Sequence, residues 1–186
     1  MVLPIAVYGN PVLKKIAQNI DKTYPELNKL IENMWETMYK SDGVGLAAPQ
    51  VNASIRLFLV DASPMEEDDP SVKDFKQVFI NAYITERLGE EKLYNEGCLS
   101  VPNLREDVKR YTKIRMKYCD ENFVEHDNYF EGTQAWIIQH EYDHLEGVLF
   151  VEHLSALRRR LIKARLTAIS VGKFEAKYKV IRNIIK

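Results

Sequence analysis

One segment of this chain cannot lie on a surface. From Glu131 to Glu146 the apolar residues Ala135, Trp136, Ile137, Ile138, Tyr142 and Leu145 recur with helical spacing, yet they spread over most of the helix circumference. A helix patterned this way is buried on several sides, so other elements must pack around it. The same helix carries five polar or polar-tipped residues in a row, His140-Glu141-Tyr142-Asp143-His144. Gly147 is placed to cap it in a left-handed conformation, and Val148 to Val151 reads as a short strand beyond.

The covering elements are legible as patterns. Leu27, Leu30, Ile31, Met34, Trp35 and Met38 give Tyr24 to Lys40 the spacing of an amphipathic helix. Ile55 to Asp61, Gln77 to Thr85, Lys92 to Glu96, Lys113 to Asp120 and Phe123 to Phe130 are rich in Val, Ile, Tyr and Phe and read as strands, with a hairpin turn at Asp120-Glu121-Asn122. Gly43 to Gln50, with two glycines and a proline, predicts backbone held on a special path, and Ala62 to Asp74 an exposed loop. Ser155 to Ser170 is a basic amphipathic helix, followed by a tail with partial alternation. A length of 186 residues suits one domain that buries a core without staples. The expected division is a catalytic unit, 1–153, and a basic helix and tail, 154–186, packed on it or extending from it.

Lys plus Arg number 26 and Asp plus Glu 27, which excludes a uniformly basic nucleic-acid binder. No run reaches the roughly eighteen apolar residues of a membrane span, and Met1 to Ile5 lacks the features of a secretory or transit signal. A cytoplasmic protein is expected, without membrane partners, whose Cys98 and Cys119 act as separate thiols.

His140 and His144 stand four residues apart, so one helix face can aim both imidazoles at one ion, with Glu141 alongside to hold a proton. Two ligands do not make a catalytic site, which needs a third and an open position for water. The candidates are Cys98, Cys119, His126, Asp143, Glu146 and His153. Asp143 and Glu146 project away from the shared face, His153 reads as a surface residue, and Cys119 reads as an inert core thiol. Cys98, in Glu96-Gly97-Cys98-Leu99-Ser100, ends a strand beside a glycine, where backbone can approach a ligand closely.

Taken together, Gly43 to Gln50, Glu96 to Ser100 and Gln139 to Gly147 resemble the three signature motifs of the peptide deformylase family. Tyr8 to Leu13 resembles that family's opening segment and Gly147 to Phe150 its strand after the metal helix, so the likeness covers Ile5 to Leu166. The resemblance implies an α+β fold: antiparallel β-sheets wrapped around a central metal-binding α-helix, with a basic C-terminal helix. It implies removal of the formyl group from N-formylmethionine on newly synthesised polypeptides, releasing formate. It further implies Cys98, His140 and His144 as metal ligands, Glu141 as general acid and base, and Gln50 with the Leu99 amide as donors to the developing oxyanion.

Amide hydrolysis at neutral pH needs a nucleophile better than water and a place for negative charge, and a divalent ion supplies both. The resemblance implies Fe2+ as the native ion, which a thiolate ligand makes the site more able to tolerate, with Zn2+, Ni2+ or Co2+ as substitutes. An apolar slot for the methionine side chain is expected from Val44, Tyr94, Trp136 and Ile137. Gly45 and Gly97 allow close approach, and Arg105 reaches the peptide backbone. Arg110 is expected to be a solvated surface charge, and Glu96 and Asp143 to orient an imidazole or the loop.

The nearest rival is a zinc endopeptidase, which shares the His-Glu-x-x-His pattern but usually takes its third ligand downstream. A second rival is a non-enzymatic protein whose cluster stabilises the fold; that needs a fourth ligand, and none is convincing. The charge is also uneven. Leu154 to Lys186 carries ten basic side chains against one acid, Glu175, so the remainder is net acidic. With the family resemblance, this segment is expected to dock a monomeric enzyme on ribosomal RNA.

Overall fold

Strands supply the cover that the buried helix demands. A computed structural model describes residues 1–181. Within them β1 (Ile5–Ala6), α1 (Leu27–Lys40), β2 (Gly45–Ala47), β3 (Leu57–Asp61), β4 (Lys76–Cys98) and β5 (Val101–Cys119) are followed by β6 (Glu125–Glu131), α2 (Gly132–Leu145), α3 (Ala156–Ser170) and β7 (Val180–Ile181). Strands β2 to β6 form one antiparallel sheet in chain order. β1 and β7 pair in parallel, Ile5 beside Val180, which joins the N-terminal segment to the tail. The architecture is α+β. Arg182 and Lys186, part of the basic C-terminal segment, lie outside the described residues. No helix among the described residues is long and apolar enough to cross a membrane.

Helix α2 is buried without interruption from Ile137 to Leu145. Ala135, Ile138, Tyr142 and Leu145 pack with Phe58, Phe79, Ile114, Met116 and Phe130 of the sheet. Leu27, Ile31, Met34 and Met38 of α1 pack with Leu57, Leu59, Val78 and Ile80. A third cluster joins Ile162, Leu166 and Ile169 of α3 to Leu104 and Val108 of β5. Each large aliphatic side chain so buried contributes about 1.5–3 kcal/mol.

Helix α2 ends where expected. Gly147 takes φ +70, the Val148 N–H donates to Asp143 O (2.9 Å), and a Cβ at 147 would come within 2.8 Å of the Lys14 carbonyl.

Four expectations are corrected. Gly43 to Gln50, read as holding no regular element, contains strand β2, paired with β3, and the start of a 3-10 turn at Ala48–Val51. The strands read at Gln77–Thr85 and Lys92–Glu96 are one strand, β4, which continues through Gly89 (φ +74) and absorbs the break as register shifts on β5. β5 likewise begins at Val101, well before Lys113. Val148 to Val151 forms no strand; a 3-10 turn runs Phe150–His153, closed by Glu152 Oε1 accepting from the Leu149 N–H at 2.8 Å.

Candidate metal centre and active site

The β4–β5 hairpin turns tightly where Cys98 pairs with Val101, which places Cys98 at its tip. α2 crosses beneath. Gln139 anchors it by bracketing the Tyr111 peptide, accepting from the N–H (3.2 Å) and donating to the carbonyl (2.8 Å). His140 and His144 then lie one helical turn apart, ring centroids at 5.3 Å and planes at 77°, edge to face. One donor atom from each of Cys98, His140 and His144 lies within 4.8 Å of the others. Cys119 and His126 are elsewhere: His126 pairs with Asp120 at 3.0 Å, and Cys119 packs beside the α1 cluster.

The electrostatics suit a cation. Burial opposes ionisation of Cys98, yet the His144 and His140 imidazoles pull its thiol down to about 5. Burial also opposes the Glu96 carboxylate, but hydrogen bonds from Arg110 and His140 hold it at about 2. His140 Nδ1 lies 2.8 Å from Glu96 Oε2, so an ionised Glu96 makes Nδ1 the protonated nitrogen and frees Nε2 as a ligand. At Glu141 burial dominates and pushes the carboxyl up to about 7 against the pull of both imidazoles. Among the described residues its Oε2 is buried without a hydrogen-bond partner, as is His144 Nδ1. A thiolate and two imidazoles form a three-ligand set that fits a divalent ion with a position left for a small molecule, and the Glu141 carboxylate stands beside that set without belonging to it.

Gln50 is fixed by its own loop. Its Oε1 accepts from the Ala47 N–H at 2.8 Å, which turns Nε2 toward Cys98 Sγ (3.6 Å) and Ser100 Oγ (3.2 Å). Gly45 passes so close to Glu141 that an added Cβ would overlap Oε1 and stand 2.8 Å from Cγ. Gly45→Ala is therefore expected to displace the Glu141 carboxylate and lower kcat about 100-fold; a kcat within threefold of the parent would contradict this.

A cleft of about 680 Å³ opens onto these groups. Val44, Gly45, Gln50, Gly97, Leu99, Arg105, Trp136 and Ile137 line it together with Cys98, His140 and Glu141. Tyr94 is outside the lining and stacks behind Trp136, centroid to centroid 5.0 Å. Trp136 donates to Glu96 Oε1 at 3.1 Å, so the wall of the cleft and a ligand's support share one carboxylate. Arg105 is exposed and bonds Asn95 Oδ1 (2.8 Å) and O (2.6 Å).

The surface reading of Arg110 is overturned. Its side chain is 4% exposed and donates to Glu96 (2.7 and 2.9 Å) and to Asp143 Oδ2 (2.6 Å). Asp143 in turn holds His153 at 2.7 Å and supports Arg110, not a ligating imidazole. The signal was present in the strand: Leu104, Glu106, Val108 and Arg110 alternate inward along β5. Sequence reading also missed the tail, since Glu175 to Tyr178 line the cleft and the Tyr178 phenol, raised by burial and by nearby Cys98 to about 12, sits close to the metal cluster.

Residues 2–160 match the family model for polypeptide deformylase. The chain belongs to that family. A peptide deformylase of Christiangramia forsetii is 50% identical over 97% of this chain and 95% of its own length. A crystal structure of a peptide deformylase from Legionella pneumophila superposes with a TM-score of 0.78 at 36% identity, covering 90% of this chain and 94% of that one. A Met-Ala-Ser-bound crystal structure of a class I type b peptide deformylase from Acinetobacter baumannii gives 0.75 at 38%, covering 83% and 99%. This family member is a metal-dependent amidohydrolase that deformylates N-formylmethionine, and Cys98, His140 and His144 form its divalent-metal site.

Proposed function

We propose a division of labour among the residues of the cleft. Cys98, His140 and His144 hold the ion, which when bound supplies a nucleophilic water at neutral pH and polarises the formyl carbonyl. Glu141, whose carboxyl is held near neutrality by burial, is the group placed to take a proton from the attacking water. It returns that proton to the methionine nitrogen as the C–N bond breaks and formate leaves. Gln50 Nε2 and the Leu99 amide donate to the oxygen that becomes negative. Val44, Trp136 and Ile137, with Gly45 and Gly97 leaving room, receive the methionine side chain, and Tyr94 backs Trp136. Arg105 meets the peptide beyond. The observation that carries this reading is Glu141 Oε2, buried and unpartnered beside three metal-ligating side chains.

Formyl-Met-Ala-Ser, chosen because Met-Ala-Ser occupies the Acinetobacter baumannii structure, is the substrate for the test. Formate is expected from it, with no cleavage of casein; peptide-bond cleavage in casein would favour the endopeptidase reading.

Fe2+ is the proposed native ion, on the family resemblance and a thiolate and two imidazoles that can hold it, with Zn2+, Ni2+ or Co2+ as substitutes. Iron-loaded enzyme is then expected to lose activity faster in air than nickel-loaded enzyme; equal half-lives under air and argon would contradict the choice. Free Cys98 and Cys119 are in keeping with a reducing cytoplasm. Arg159, Arg160, Lys163 and Arg165 are exposed on α3 and are the proposed contacts to ribosomal RNA. Reversing them to Glu is expected to abolish ribosome co-sedimentation at low salt; undiminished binding would exclude that surface.

A further inference from the structure

After α3 the chain turns back over the active site and is fastened at three points. Asn103 Nδ2 donates to Glu175 O at 2.9 Å, the Tyr178 hydroxyl donates to Leu99 O at 2.7 Å, and the Ile5 N–H donates to Lys179 O at 2.9 Å, where β1 and β7 begin to pair. Two of these points lie on the segment leading out of the Cys98 turn, residues 99 and 103. That turn projects beyond the regular ladder of β4 and β5, where register slips between Gly97 and Cys98. Its groups are tied from outside: Ser100 O accepts from the Tyr8 N–H (2.8 Å), and Ser100 Oγ accepts from Gln50 Nε2 (3.2 Å). Leu99, between the Cys98 ligand and Ser100, has its carbonyl held by the tail.

We propose that Tyr178 is a positioning residue for deformylation, fixing Leu99 so that its amide stands ready for the formyl oxygen. The inference rests on Leu99 as an oxyanion donor. A donor acts at full strength only if it is already aimed where charge develops, because reorienting it during reaction consumes the stabilisation it would give. A hairpin turn has few internal contacts to hold that aim, and the phenol supplies a cross-link from the other end of the chain. Although Tyr178 lines the cleft, its hydroxyl is committed to the Leu99 carbonyl, so an effect that passes through Leu99 falls on the transition state and not on peptide affinity.

Tyr178→Phe keeps the ring and removes the hydroxyl. The full-length, metal-loaded variant is expected to show kcat reduced about tenfold with KM for formyl-Met-Ala-Ser within about twofold of the parent. Hydrogen exchange at the Leu99 amide, followed by NMR on the metal-loaded protein without substrate, is expected to speed up. Unchanged kcat with unchanged exchange overturns the role of Tyr178 alone. Faster exchange with unchanged kcat overturns Leu99 as an oxyanion donor, and the proposal with it. A rise in KM at constant kcat also overturns it, since Tyr178 would then contact peptide.

Discussion

Glu141→Gln is expected to retain the metal ion and the fold while lowering formate release by about three to four orders of magnitude. Glutamine preserves the length and shape of the side chain, so the close approach of Gly45 is undisturbed. It also removes the only capacity this position has to accept and return a proton. Glu141 is buried and not one of the three clustered ligands, and its Oε2 has no hydrogen-bond partner among the described residues. Metal content measured beside turnover separates the two roles: parent-like metal with little turnover is the expected result. Activity within tenfold of the parent would mean that another group moves the proton.

Arg110→Met is expected to have the largest effect on stability. The guanidinium lies between Glu96 and Asp143, and removing it leaves two buried carboxylates without their cation. Breaking such a pair costs about 3–5 kcal/mol, or roughly 10 °C in Tm for a chain of this size. Function should follow, because Glu96 orients His140 and holds Trp136. Loss of an outer support of this kind typically weakens metal binding about 10–100-fold. Arg105→Met, on an exposed arginine, is the matched control and should move Tm far less. Equal effects at the two positions, read by thermal denaturation and competition with a chelator, would contradict the buried network.

Much of this was legible in the sequence. α2 declared itself by apolar residues around most of its circumference, and the spacing of His140 and His144 was enough to aim both at one ion. Cys98 could be singled out among candidate ligands only as far as its glycine neighbour allowed, because the partner that brings it near α2 is a hairpin whose register no local pattern specifies. β4 escaped for a related reason. Gly89 among charged residues has the local chemistry of a break, and only pairing with β5 carries the strand across it. Arg110 was misjudged because a charged residue alone favours solvent; two carboxylates distant in sequence make burial affordable. Tyr178 was invisible for the same physical reason, since its partner Leu99 lies 79 residues away in the chain and no local pattern brings the two together.

The central claim is that the Cys98, His140 and His144 cluster, once loaded with one divalent ion, is the centre that releases formate. Adding Fe2+ or Ni2+ stepwise to metal-free protein under argon, and counting formate from formyl-Met-Ala-Ser at each step, tests it directly. Turnover is predicted to be absent at the start, to rise linearly and to level off at one ion per chain. Full formate release from the chelated protein, or a rise that ignores the first equivalent of metal, would contradict it.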